Sequence, residues 1–401
     1  MINSLRPPHL VTATLFYSVC IMVAGQAFLF TVLPPIGREI GLEDYHVGLV
    51  MSVHGLFMLF MGPMWGSISE KWGRRPVIFI GGFIFCLSVM IFGMIVDAAL
   101  SGTITVTMVL LLFIASRALF ALGAGAVTPA SMALAADMSS REMRLKTLSI
   151  MTAATSTGAI IGPSVSAFLS IYGLSKPFYF IAVAGLLILL GALFLLPNSR
   201  HVSSNKSIGY RELLKGNILY IASGSSLFMI GIYGVFSTLG FFVQDRFSLE
   251  PIDAARIMGL GLMCAASATI FIQVFVISWV KINPKALILV GIIFGLVSVV
   301  LIWISQSIII FYLAMLANGI GQGLAMPAIN TSLSLSAGPD FQGRVAGITT
   351  STQAIAFLFA PASSVALYQM TGWGSFLVSS IIIVLSLTIF IIMPSIGKQR
   401  I

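Results

Sequence analysis

Long apolar stretches separated by short polar segments run the full length of the 401-residue chain. A helix needs about 20 apolar residues to cross the hydrocarbon core of a bilayer. Twelve runs are of that order: residues 11–34, 46–67, 77–97, 105–128, 146–170, 177–196, 217–243, 254–280, 286–304, 308–335, 345–369 and 374–394. In lipid the backbone must satisfy its own polar groups, and barrel strands would alternate polar and apolar positions over about 10 residues, which these runs do not. The pattern predicts an all-α membrane protein with twelve transmembrane helices. The first run is longer than the apolar region of a signal peptide, so it is expected to remain as a span.

The most extended polar segment lies mid-chain at 197–216. It reads as a linker between an N-terminal six-helix bundle, 1–196, and a C-terminal one, 217–401. An internal repeat supports that division. Gly123-x-Gly125-x-x-x-Pro129 in span four returns as Gly321-x-Gly323-x-x-x-Pro327 in span ten, and Pro163 in span five returns as Pro361 in span eleven, all at one offset of 198. A constant offset across two spans is hard to reach by accident, and parallel six-helix repeats are a known transporter architecture.

Composition excludes most other classes. Charged residues make up 8% of the chain and hydrophobic ones 58%, against roughly 25% charged in soluble domains. Such a chain could not keep a surface wet, so a cytosolic enzyme, a nucleic-acid binder and a disordered protein are all excluded. The net charge of +9 comes from short basic clusters between apolar runs, which is the pattern of topology signals. With both termini placed in the cytoplasm, sixteen Lys and Arg fall on the inner side and only Arg38, Lys176, Arg246 and Arg256 on the outer. That positive-inside bias predicts a multi-pass protein of the inner (cytoplasmic) membrane with cytoplasmic termini. Cys20, Cys86 and Cys264 each stand alone in an apolar run, with no ligand spacing for a metal. No cofactor is expected.

None of the twelve acids falls near the middle of a span, which leaves Arg117 and His54 as the ionisable groups there. Arg117 lies about 12 residues, or roughly 18 Å, into span four. A charge at that depth is costly and usually faces a cavity or the bundle interior, here as a possible attractor of anionic or carbonyl-bearing solutes, or held as packing glue by carbonyls and amide side chains. His54, with an unperturbed pKa near 6.5, is a candidate for proton coupling or a neutral hydrogen-bond donor between helices. Gln26, Tyr233, Asn318 and Gln322 are further deep polar groups that could line a solute and proton pathway or bridge helices. Gly158-x-x-x-Gly162-Pro163 in span five offers a smooth face, read as a contact between the two halves. The segment Gly66 to Arg75 predicts a tight inner turn between spans two and three, with Gly73 supplying the turn.

Taken together these residues resemble the major facilitator superfamily, in particular its twelve-span drug:proton antiporter branch. Gly66, Glu70, Lys71, Gly73, Arg74 and Arg75 are similar to its motif A, G-x-L-x-D-R-x-G-R-R, with Glu70 at the Asp position. Arg117, Gly123, Gly125, Pro129 and Asp137 are similar to motif B, although Phe120 and Ala121 replace the usual Gln-Gly. Gly158, Gly162 and Pro163 match the exporter-associated motif C, with Ser166 and Ala167 in place of its terminal Gly-Gly. The resemblance implies a cytoplasmic charge cluster of Glu70, Lys71, Arg74 and Asp137 that holds the outward-open state. It also implies a role for Arg117 in solute or proton handling.

The function expected from this reading is secondary active export of a small organic or amphipathic molecule by alternating access, powered by a proton gradient. The partners are then a small-molecule substrate, protons and the lipid bilayer, with no nucleic acid, and the chain works as a monomer. A dedicated metabolite or siderophore transporter, exporting or importing, is the alternative. A membrane-embedded enzyme has few candidates without paired acids or a His cluster, and a solute sensor lacks a sizeable extra-membrane domain.

Overall fold

The computed structural model describes residues 8–139, 144–197, 216–277, 283–337 and 342–394. These form helices α1 (Pro8–Ala27), α2 (Leu29–Ile40), α3 (Asp44–Trp72), α4 (Arg74–Leu100), α5 (Val106–Met138), α6 (Arg144–Leu169) and α7 (Lys176–Leu195), then α8 (Asn217–Phe247), α9 (Pro251–Phe271), α10 (Pro284–Ile304), α11 (Ile308–Ala337), α12 (Gln342–Thr371) and α13 (Gly374–Ile392). Twelve spans are long and apolar enough to cross a membrane, with α1 and α2 together making the first, His9–Ile40. The fold is that of an all-α protein with twelve transmembrane helices. Most of the expected linker, 198–215, lies outside the described residues.

Among the described residues the spans depart from uniform α-helix in a 3-10 turn, Ser170–Tyr172, after α6, and in two further places. The first span is divided at Phe28, between α1 and α2. Pro34 and Pro35 lie within α2 and lack the N–H groups that would tie it to the preceding turn. After α9 the chain runs as a π-helical stretch, Ile272–Val276, a geometry that is rare outside single turns of this kind.

The chain divides into two compact units, one of Met1–Asn205 with Glu250–Gly259, the other of Lys206–Leu249 with Leu260–Ile401. Inside the first, α4 packs on α5 and α7, and α1 on α6 and α7; inside the second, α10 packs on α11 and α13, and α8 on α12 and α13. The pairing order is the same in both, as expected of a repeat. Lipid tails are as apolar as the side chains, so close packing rather than water exclusion joins such helices. The repeated glycines supply it. A Cβ on Gly123 would stand 2.6 Å from the Gly81 carbonyl oxygen of α4, and one on Gly321 would stand 2.8 Å from the Gly291 carbonyl oxygen of α10. Their partners two residues on meet a different helix: Gly125 faces Met61 of α3, and Gly323 faces Ile272 in the π stretch. In each unit the backbones approach as closely as these glycines allow.

Candidate functional site

Arg117 sits eleven residues into α5, about 17 Å from its start. Phe113, Ser116, Arg117, Phe120 and Gly123 recur at helical spacing and are all buried, so this stripe of α5 faces the interior of the first unit. The Arg117 side chain is among the largest fully buried ones, in a residue 2% exposed. Its Nη2 donates to Oε1 of Gln26 on α1 at 2.9 Å, and its guanidinium carbon lies 4.4 Å from the centre of the Phe120 ring. The Nε atom is buried without a hydrogen-bond partner. Phe120 is the hub of this cluster, because His54 of α3 meets its ring edge-on at 5.4 Å and Phe85 of α4 meets it at 5.2 Å.

Gln26, His54 and Arg117 are thus brought together in one unit, with Phe120 between the imidazole and the guanidinium. The sequence showed Phe120 only as a departure from motif B. Its spacing of three from Arg117 is the signal that marks it as a partner, since residues three apart share a helix face. Within its unit Arg117 borders a cavity of about 10 Å³ among Gly25, Phe28, Ser88, Phe92, Ser116 and Phe178, room for roughly one water. An amide and a ring can hold the guanidinium without any carboxylate, so the helices close around it.

Tyr233, Asn318 and Gln322 belong to the second unit. Tyr233 of α8 lies against Phe357 of α12 with ring centres 4.3 Å apart. On α11, Gln322 Nε2 donates to Oδ1 of Asn318 at 2.6 Å, an i,i+4 pair. The structure therefore divides the six expected pathway residues between the units: Gln26, His54 and Arg117 gather in the first, while in the second Asn318 pairs with Gln322 and Tyr233 lies against Phe357.

The expected inner turn is a correction in form. Gly66 to Trp72 continue α3 as helix, and only Gly73 separates α3 from α4. Gly73 has φ 97° and ψ 158°, a conformation open essentially to glycine alone. The reversal places Arg74 so that its Nε meets Oδ2 of Asp137 at 3.4 Å and its Nη1 donates to Oγ of Ser69 at 2.5 Å. Arg75 donates through Nη2 to the Leu193 carbonyl at the end of α7. Lys71 is exposed, and Gly66 has open space beside it. The Glu70 side chain lies outside the described residues. Ser69 is a member of this cluster that the sequence did not mark.

The motif C glycines lie against α1. A Cβ on Gly158 would run into the Cys20 carbonyl and come within 2.9 Å of Val23, while one on Gly162 would collide with the backbone of Ala24. Both glycines therefore seat α6 on α1 inside the first unit. Helix α1 crosses too close for any side chain at these positions. The carbonyl of Pro163 lies beside Gly259 of α9, which groups with the first unit.

A family model described as Major Facilitator Superfamily matches residues 15–361 and 261–399. The chain is 24% identical over 400 residues to multidrug resistance protein 2 of Bacillus subtilis (strain 168), covering 96% of each. It is 24% identical over 362 residues to quinolone resistance protein NorA of Staphylococcus aureus (strain MRSA252), covering 89% of each. Among solved structures, the human organic anion transporter MFSD10 (TETRAN) superposes with a TM-score of 0.69 over 96% of this chain and 99% of that one, at 18% identity. Twelve spans, a six-helix pairing order that repeats and a family match from end to end lead to one assignment: this chain belongs to the major facilitator superfamily of transporters.

Proposed function

We propose that the chain is a proton-coupled exporter of small organic or amphipathic molecules, and that the Arg117 cluster couples proton and solute movement. The observation that carries this reading is the buried Arg117, held among the described residues by the neutral Gln26 and the Phe120 ring. A charge kept at depth without a counter-charge is expensive, and in membrane proteins such residues mark ion and solute routes. In a low-dielectric interior it acts strongly on any charge that arrives nearby. His54 rests on the same Phe120 ring, so a proton on its imidazole would repel the guanidinium. Proton occupancy and the position of Arg117 are then linked, and an anionic or carbonyl-bearing solute would compete for the same cation.

Export rather than import is favoured by the names of the relatives, a multidrug resistance protein and a quinolone resistance protein, matched over most of their length. By the charge bias of the sequence, the termini and the Arg74–Asp137 pair lie on the cytoplasmic side of the inner membrane. There the pair would hold the cytoplasmic ends of α4 and α5 together. The test uses cells expressing the chain and loaded with a fluorescent amphipathic dye. Energised cells should extrude the dye, and a protonophore should stop extrusion. Extrusion that survives collapse of the proton gradient would rule out the coupling.

A further inference from the structure

We propose that Arg246, Trp303 and Trp373 form a binding site for the phosphodiester of a phospholipid. This goes beyond the transport reading, since it depends neither on which solute moves nor in which direction. All three residues belong to the second unit. Arg246 is the penultimate residue of α8, Trp303 the penultimate residue of α10, and Trp373 stands just before α13. Successive spans cross in opposite directions, so the three lie at one end of the unit, which the charge bias of the sequence makes the outer one. The two indole rings stack with centres 6.3 Å apart and planes 21° from parallel, and the residues are 41% and 47% exposed.

Arg246 is exposed as well, but its guanidinium is anchored. Its Nε donates at 2.7 Å to the carbonyl of Ser305, two positions past Trp303, which fixes the cation at the corner where the rings lie. Among the described residues neither Nη group makes a hydrogen bond or ion pair. The neighbouring acid does not take them: Asp245 accepts from Tyr368 Oη of α12 at 2.8 Å, while Arg246 turns to α10, as expected of successive helix positions about 100° apart. Tryptophan settles at the level of lipid headgroups, because its ring is apolar and its N–H polar. The stacked pair therefore marks that level, and it puts the unpaired Nη groups at the height of the phosphates. A guanidinium takes a phosphate through two parallel N–H···O bonds, and the rings can cover the glycerol and upper acyl carbons beside it. A sugar headgroup without phosphate brings no anion to this cation.

The experiment mixes the full chain, purified in detergent, with equal amounts of phosphatidylglycerol and a diglucosyl diacylglycerol of the same acyl chains, and counts bound lipids by native mass spectrometry. Wild type should retain phosphatidylglycerol over the glycolipid, and inorganic phosphate should not displace it. Arg246→Gln should bind phosphatidylglycerol about tenfold more weakly, the scale of one charge-assisted contact, and Trp303→Leu should weaken it too. Lys176→Gln, which removes an outer charge from the first unit, should leave it unchanged. The wild-type comparison decides even if a variant does not fold. Equal retention of the two lipids, displacement by inorganic phosphate, undiminished binding by a folded Arg246→Gln or Trp303→Leu, or an equal loss in Lys176→Gln would each overturn the proposal.

Discussion

At the residue scale, Gln26 is the neutral group on which the buried cation depends. Gln26→Leu keeps the volume but removes the acceptor of the Arg117 Nη2 hydrogen bond. Hydrogen bonds to charged groups contribute about 1.5–3 kcal/mol, so the variant should unfold at a visibly lower temperature than wild type in the same detergent, and Arg117→Met with Gln26→Leu should recover part of the loss. His54→Gln keeps a polar side chain but no group that titrates near neutrality. It should still exchange solute across a membrane with no gradient, while losing acceleration by a pH difference; a normal pH response would remove His54 from the coupling. Arg117, His54 and Gln26 were each legible in the sequence, because a polar residue in an apolar run stands out. Their mutual contact was not: Gln26 and Arg117 are 91 positions apart, and nothing local records which helices meet.

At the element scale, glycine divides into positions where it is required and positions where it is not. Gly158 of α6 faces the backbone of α1 at a separation that admits no Cβ, whereas Gly66 of α3 has nothing within 4 Å. Gly158→Leu should therefore reduce the yield of folded protein, not merely slow transport, while Gly66→Ala should lie within about 0.5 kcal/mol of wild type or be mildly stabilising. Fluorescence-detected size exclusion after mild heating separates the two outcomes. The α4 start offers a second test. Asp137→Asn removes the charge that meets Arg74 and leaves its buried guanidinium, among the described residues, with the neutral Ser69, so transport should fall several-fold, with Asp137→Glu retaining more. The twelve spans were readable because each is one apolar run. The break at Phe28 and the π stretch at Ile272–Val276 were not, since both depend on what packs against those turns. Motif C was recognisable as a small-residue face, but spacing alone does not say which helix it serves.

At the scale of the whole molecule, the offset of 198 in the sequence became a repeat in structure. Gly123 and Gly321 lie against glycines of the helices that precede them, α4 and α10, and basic side chains cap equivalent helix ends, Arg75 on α7 and Lys285 on α13. The same six-helix plan is thus built twice from two different sequences, which is why the fold could be read from so few residues. Function was less legible, because only the first copy carries the mid-span cation, and composition does not reveal what it meets. The most direct measurement reconstitutes wild type and Arg117→Ala into liposomes and follows proton and solute flux together under an imposed pH difference. The account predicts opposed, linked fluxes in the wild type and loss of both in a folded Arg117→Ala. Undiminished linked flux in that variant would contradict it.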